Sequence, residues 1–279
     1  ELVMALEADR MQNLTISEEA LIKERDIVFQ ERKQVVENNP MGYFNEVVRQ
    51  NLWFRHPYGR PIIGTDQEIL GFKQEEVVDF YNKFYAPNNA VLVISGDIDA
   101  ETAKKLAEKY YGKIKKKEIG ERPKIEEIKN LYSSRVEMEV KGVNSPRFSK
   151  TYIIPSHAAD KAYSYLVLAS YLGGSEVSKL YKDLVFSKNL ALSVGTSADI
   201  FTRDLGTFSI SATPNSHVEV SALEKELEKS VKKAVSEINQ KEIEKVKEQM
   251  LAGLVYIKDN PSDAAYIVGS MLSVGMTVE

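Results

Sequence analysis

Strand-like and helix-like segments are mixed along this chain without the regular alternation that builds a doubly wound sheet. Residues 90–95 (AVLVIS), 135–141 (RVEMEVK), 148–154, 190–199 and 206–213 carry β patterns. Amphipathic stretches of helical period lie among them at 75–84 and 100–111, and a largely apolar helix is expected at 158–172. Toward the end, Val220, Leu223, Leu227, Val231, Val235 and Ile238 mark a long helix, and Ile243, Val246, Met250, Leu254 and Ile257 mark another. This order predicts an α+β fold. A length of 279 residues accommodates two domains of ordinary size. The lysine run at 113–117, with Gly120 and Pro123 behind it, reads as a solvated connector. The expected organisation is a first domain over 1–117, a linker at 118–134 and a second domain over 135–279.

Composition excludes several functions. With 37 basic and 41 acidic residues and a net charge of −4, nothing suggests a nucleic-acid surface. There is no cysteine, hence no disulfide and no thiolate metal ligand. No apolar run approaches the roughly 20 residues that span a bilayer, and no signal peptide is visible. Nothing in the sequence gives an address. Glu1 opens the chain inside a helix-like pattern (Leu2, Leu6, Met11), and Glu279 follows the apolar stretch 267–276. Both ends read as cuts through structure, so the chain is expected to be a fragment with both domains truncated.

Ser17, followed by Glu18 and Glu19, is a helix start, and Asn38-Asn39-Pro40 is a stop. Inside this helix stand Glu24 and Glu31. Seven residues is close to two turns, so both carboxylates leave one face about 10 Å apart along the axis. Leu21, Val28 and Val35 are expected to form the apolar stripe, with the glutamates at its edge. No Lys or Arg lies three or four residues from either. Carboxylates aimed at an apolar surface need a cation or a distant donor to offset desolvation, which hints at a metal site. Ordinary salt bridges to distant residues are the competing reading. A second helix is expected over 42–54, then a loop at HPYGRP (56–61).

Four stretches then occur in order: EADRMQNL (7–14), ERDIVFQE (24–31), HPYGRPIIGT (56–65) and YAPNNAVLVISGD (85–97). Together they resemble the pitrilysin/insulinase-type zinc metallopeptidases, the group that includes mitochondrial processing peptidase. YLGGSEVSKLYKDL (171–184), LALSVGTSA (190–198) and DLGTFSISA (204–212) resemble the second homologous domain of the same proteins. The resemblance implies two homologous domains, each a mixed, mainly antiparallel sheet packed against helices. It also implies an H-x-x-E-H helix supplying two His ligands and a general base, completed by a glutamate downstream. On that match Glu31 is the third zinc ligand. Glu24 is the carboxylate behind it that orients a ligand or assists the base. Gly173-Gly174 resembles the glycine-rich loop held to touch or admit substrate, though GGSEVS carries Glu176 and Val177 where small residues are common. A helix C-cap, with glycine in the left-handed conformation, is the plain alternative. Arg203 resembles an arginine used against the substrate carbonyl oxygen. The tyrosine expected seven residues on is Ile210, so a surface turn arginine is the competing reading.

The departure is that no H-x-x-E-H occurs here. His56 reads as a turn or packing residue, and His157 and His217 as surface or capping residues. The two-histidine helix would lie upstream of Glu1. Two readings follow: a piece of a zinc endopeptidase acting on extended or unfolded peptides, inactive alone, or a non-catalytic relative that binds peptide or scaffolds a partner. The resemblance also allows a homodimer or paired subunit. The retained pair Glu24/Glu31 favours the peptidase. An unrelated α+β binding module is the third and weakest reading.

Overall fold

The side chain of Ser17 accepts from the N–H of Ala20 and starts the helix that carries both glutamates. In the computed structural model, which describes residues 1–128, 133–140, 143, 145–257 and 260–278, this helix lies in the first of two units, Glu1–Lys141 and Gly142–Glu279. The first unit contains α1 (Leu2–Asn13), α2 (Glu18–Arg32), α3 (Pro40–Leu52), α4 (Asp66–Gly71), α5 (Gln74–Phe84) and α6 (Ala100–Tyr111). Helix α2 continues as a π-helical stretch, Lys33–Glu37. Pro40 does not only stop one helix; it begins the next. Asn39 accepts from Met41 and Gly42, so α3 starts two residues before the expected 42–54. Tyr81, buried on α5, donates to the carbonyl of Arg10 and accepts from Leu14 N–H, which ties α5 to the end of α1.

The strands expected at 90–95 and 135–141 are not formed among the described residues; Lys141 itself lies outside them, as do residues 129–132 of the expected linker. Both runs are without helix or ladder, and Val91 and Leu92 are about half exposed, not buried. A strand needs a partner for its N–H and C=O groups, and among the described residues neither run has one. Residues 136, 138 and 140 keep the expected alternation, half-buried between exposed neighbours.

The connector is fastened to this unit by one carboxylate. Glu127 accepts from the N–H groups of Arg55 (3.1 Å), His56 (2.9 Å) and Ile128 (2.8 Å). Burial acts to raise its carboxyl, but these donors outweigh burial and hold it below the ordinary carboxylate range. A group depressed in the folded state stabilises above its unfolded pKa, and that stability is lost as pH falls through the folded value. Trp53, the single tryptophan, is buried 5.5 Å from the His56 ring. Its emission is therefore expected to stay constant through the ordinary glutamate range near about 4.3 and to shift only at lower pH. Glu127→Gln should show the shift already at neutral pH. A wild-type transition at or above the ordinary value would contradict the fastening.

The second unit contains β1 (Phe148–Pro155), α7 (Ala162–Gly173), a π-helical stretch Tyr181–Ser187, β2 (Ala191–Asp199), β3 (Leu205–Pro214), α8 (Val220–Ser236), α9 (Gln240–Ile257) and α10 (Pro261–Ser273). The three strands form an antiparallel sheet in the order β1-β3-β2, with Phe208 opposite both Tyr152 and Ala198. Phe208, Ile210 and Ala212 bury one face against Leu172, Leu180, Leu184, Leu223 and Leu227. The chain is thus α+β, as expected. Along α8 the stripe differs from its sequence reading: Ser230 and Ala234 are buried, whereas Val235 and Ile238 are 45% and 41% exposed. Steps of four residues advance about 400°, so the series 223, 227, 231, 235 drifts off the buried face and steps of three must correct it.

Candidate functional site

Glu24 and Glu31 both lie on α2, and both are exposed. Neither carboxylate has an ion pair or hydrogen bond among the described residues. The expectation that they face an apolar surface is not met. Leu21 and Val28 are half-buried, but Val35 is 43% exposed and Val36 is buried in its place. The cause is the π-helical stretch: Asn38 N–H donates to the carbonyl five residues back, at Lys33, which shifts the register by one residue. Beside Glu31 is a shallow groove of about 420 Å³, lined by Asp26, Ile27, Gln30, Glu31 and Gln34. Ile27 is 59% exposed.

Directly behind this exposed face sits a buried cation. Arg32 is 7% exposed, and its guanidinium donates to both carboxylate oxygens of Glu46 (3.0 and 3.1 Å), to Asp66 (2.6 Å) and to the carbonyl of Gly64 (2.8 Å). The hydrogen bonds to Glu46 raise the arginine's pKa despite burial. Arg32 in turn lowers the Asp66 carboxyl, while a hydrogen bond to Asp66 raises that of Glu37. Sequence reasoning missed Arg32. The local signal is weak: Arg32 stands four residues after Val28 of the expected stripe, and Val36 joins that face only through the π-helical stretch.

In the second unit Gly173 is the last residue of α7 and is buried; Gly174 follows it, exposed. The left-handed cap is not observed. Gly174 has φ −74° and donates its N–H to Ser170. Glycine is needed at 173 for a different reason: a Cβ there would stand 2.9 Å from the backbone nitrogen and hydroxyl of Thr196 on β2. Gly173→Ala is expected to cost about 1–3 kcal/mol of unfolding free energy. Gly195→Ala, whose Cβ would meet nothing closer than 3.8 Å, is expected to leave it nearly unchanged. Urea denaturation of the two variants checks the contrast. Arg203 is exposed in the β2–β3 connection.

The histidines are separate. His56 is buried, accepts from Tyr58 N–H at Nδ1 and packs on Trp53 and Tyr58, as a turn and packing residue should. His217 is exposed. His157 is half-buried, not a surface residue: its N–H binds the carbonyl of Ile200, and its Nε2 is buried without a partner among the described residues. Among the described residues no group of three or more His, Cys, Asp or Glu could hold a metal. Glu31, exposed, unpartnered and beside an open groove, fits one carboxylate ligand of a zinc site; the described residues do not make up the rest.

The chain is thus an α+β protein with an acidic pair on α2 of its first unit and, in its second, an antiparallel sheet packed against a glycine-ended helix. Residues 71–250 match the family model described as the peptidase M16 inactive domain. The zinc protease PqqE of Helicobacter pylori is 26% identical over 274 residues, covering 96% of this chain and 61% of the relative. An uncharacterized zinc protease of Rickettsia bellii is 25% identical over 276 residues, covering 97% and 64%. The crystal structure of a protease from Helicobacter pylori shares the fold, with a TM-score of 0.86 at 24% identity over 98% of this chain and 67% of that one. The chain belongs to the pitrilysin/insulinase-type M16 peptidase family. It spans about three fifths of the length of the curated relatives it matches. Among the described residues no helix is long and apolar enough to cross a membrane.

Proposed function

We propose that this chain is part of a zinc-dependent endopeptidase that cleaves extended or unfolded peptides. Glu31 is the carboxylate ligand and Glu24 the carboxylate that orients the site from one heptad away. The observation that carries this reading is the pair of exposed, unpartnered carboxylates on one face of α2, in a chain whose relatives are named zinc proteases. Zinc, when bound, supplies a Lewis acid and an activated water for attack on a peptide carbonyl. The general base and the remaining ligands are assigned to an H-x-x-E-H segment ahead of Glu1. In this reading residues 1–117 belong to the metal-site domain, 118–134 to the connector and 135–279 to the domain that closes on substrate. Gly174, exposed at the end of α7, and Arg203, also exposed, are the residues assigned to meet an extended peptide added as a strand; Gly173 supports that turn from beneath. The chain alone is inactive, and a homodimer or paired subunit is the proposed assembly.

The test is to read the coding sequence ahead of Glu1, express the complete product and measure its zinc content and its hydrolysis of an unfolded peptide. An H-x-x-E-H segment with stoichiometric zinc and hydrolysis is expected. Absence of the motif and of zinc would replace this reading with a non-catalytic peptide-binding or scaffold subunit.

A further inference from the structure

Each candidate acid on α2 is followed by an arginine. Arg25 follows Glu24, and Arg32 follows Glu31, so the arginines repeat with the same seven-residue spacing. Both reach the segment around α4: Arg25 donates to the carbonyl of Leu70 at 3.2 Å, and Arg32 to Asp66 and to the carbonyl of Gly64. Arg32 also holds Glu46 on α3 through both carboxylate oxygens. The acids stay exposed while the arginines are drawn inward.

We propose that Arg32, seconded by Arg25, is the positioning residue that fixes the direction in which Glu31 is presented; the zinc part of this inference rests on the function proposed above. Adjacent residues on an α-helix stand about 100° apart around its axis. Fixing the azimuth of Arg32 against three separate groups therefore fixes that of Glu31. A helix rotation of about 20° would move a side-chain tip some 5–6 Å from the axis by roughly 2 Å. Zinc–carboxylate bonds occupy a window near 2.0–2.2 Å, so such a movement would lose the ligand. The backbone ladder cannot set the angle alone here, because it changes to π-helical immediately after Arg32. The guanidinium supplies the reference on the helical side of that change. Lysine cannot replace it, since a point charge has no planar fork to satisfy Glu46, Asp66 and Gly64 together.

The chain contributes no cysteine, so nitroxides can be placed at Glu31→Cys and at Gln50→Cys, an exposed position on α3. In the protein expressed from its complete reading frame, the distance distribution between them is expected to be narrow. It should broaden or shift in Arg32→Lys and in Asp66→Asn, the second variant being chosen because Asp66 is partly exposed and its loss spares the fold. Zinc affinity in the same backgrounds without the labels should fall about 10- to 100-fold, the usual effect of removing a partner that orients a ligand. An unchanged distribution in both variants overturns the inference, whatever zinc does. Wild-type zinc affinity in Glu31→Gln overturns the proposed function instead, and leaves the distances to judge the pin.

Discussion

In the protein expressed from its complete reading frame, Glu31→Gln is expected, on the function proposed above, to lose bound zinc and peptide hydrolysis together. An amide oxygen carries no charge and is a poor ligand to zinc, whereas the Glu31 carboxylate has no competing partner among the described residues to hold it elsewhere. The loss should exceed the roughly 10- to 100-fold typical of removing a group behind a ligand. Glu24→Gln should fall within that smaller range, because two turns of helix separate it from Glu31 and only one of the pair can touch the ion. The order of the two effects is the informative part. Metal content and turnover, measured on both variants with an unfolded peptide, check it. Equal effects, or a larger one at Glu24, would exchange the two roles.

The largest stability effect is expected at Arg32→Met. The side chains of Arg32 and Glu46 are 9% and 13% exposed, and removing the arginine strands a buried carboxylate. Breaking a buried pair in this way costs about 3–5 kcal/mol. Adding Glu46→Leu should restore most of it, since two apolar side chains of similar size need no compensation in that space. Asp66, 45% exposed, can turn to water and needs no second change. Thermal and urea unfolding of the single and double variants measures the coupling. A single variant that loses less than about 1 kcal/mol, the range of an exposed pair, would show that solvent reaches this cluster in solution.

Much of this was readable in the chain because it depends on local chemistry. Ser17 as a cap, α6 at Ala100–Tyr111 and the three strands of the second unit lie where turn residues and periodicity place them. Other features depend on partners distant in sequence. Helix α4 is six residues held by a capping box between Thr65 and Glu68, too short to show a period. The runs at 90–95 and 135–140 have strand composition, but composition does not supply a neighbouring strand. At the candidate site the spacing of Glu24 and Glu31 was legible, and their shared face follows from it. Their environment was not, because the π-helical stretch moves Val36 inward and Val35 outward. Arg32 escaped notice because its partners stand 14 and 34 residues away.

The contact between Gly173 and Thr196 bears on how relatives of this chain are to be read. Space at that helix end is set by the approach of α7 to a neighbouring strand, and this requirement is indifferent to whether the protein cuts peptides. Selection should therefore hold glycine at the matching position in members that have shed their metal as firmly as in active ones. Gly174 faces solvent but is held by the fold as well, because a Cβ there would stand 2.7 Å from the Cα of Ser170. Glycine kept at both neighbouring positions in inactive lineages would therefore report what the fold demands, not what substrate demands.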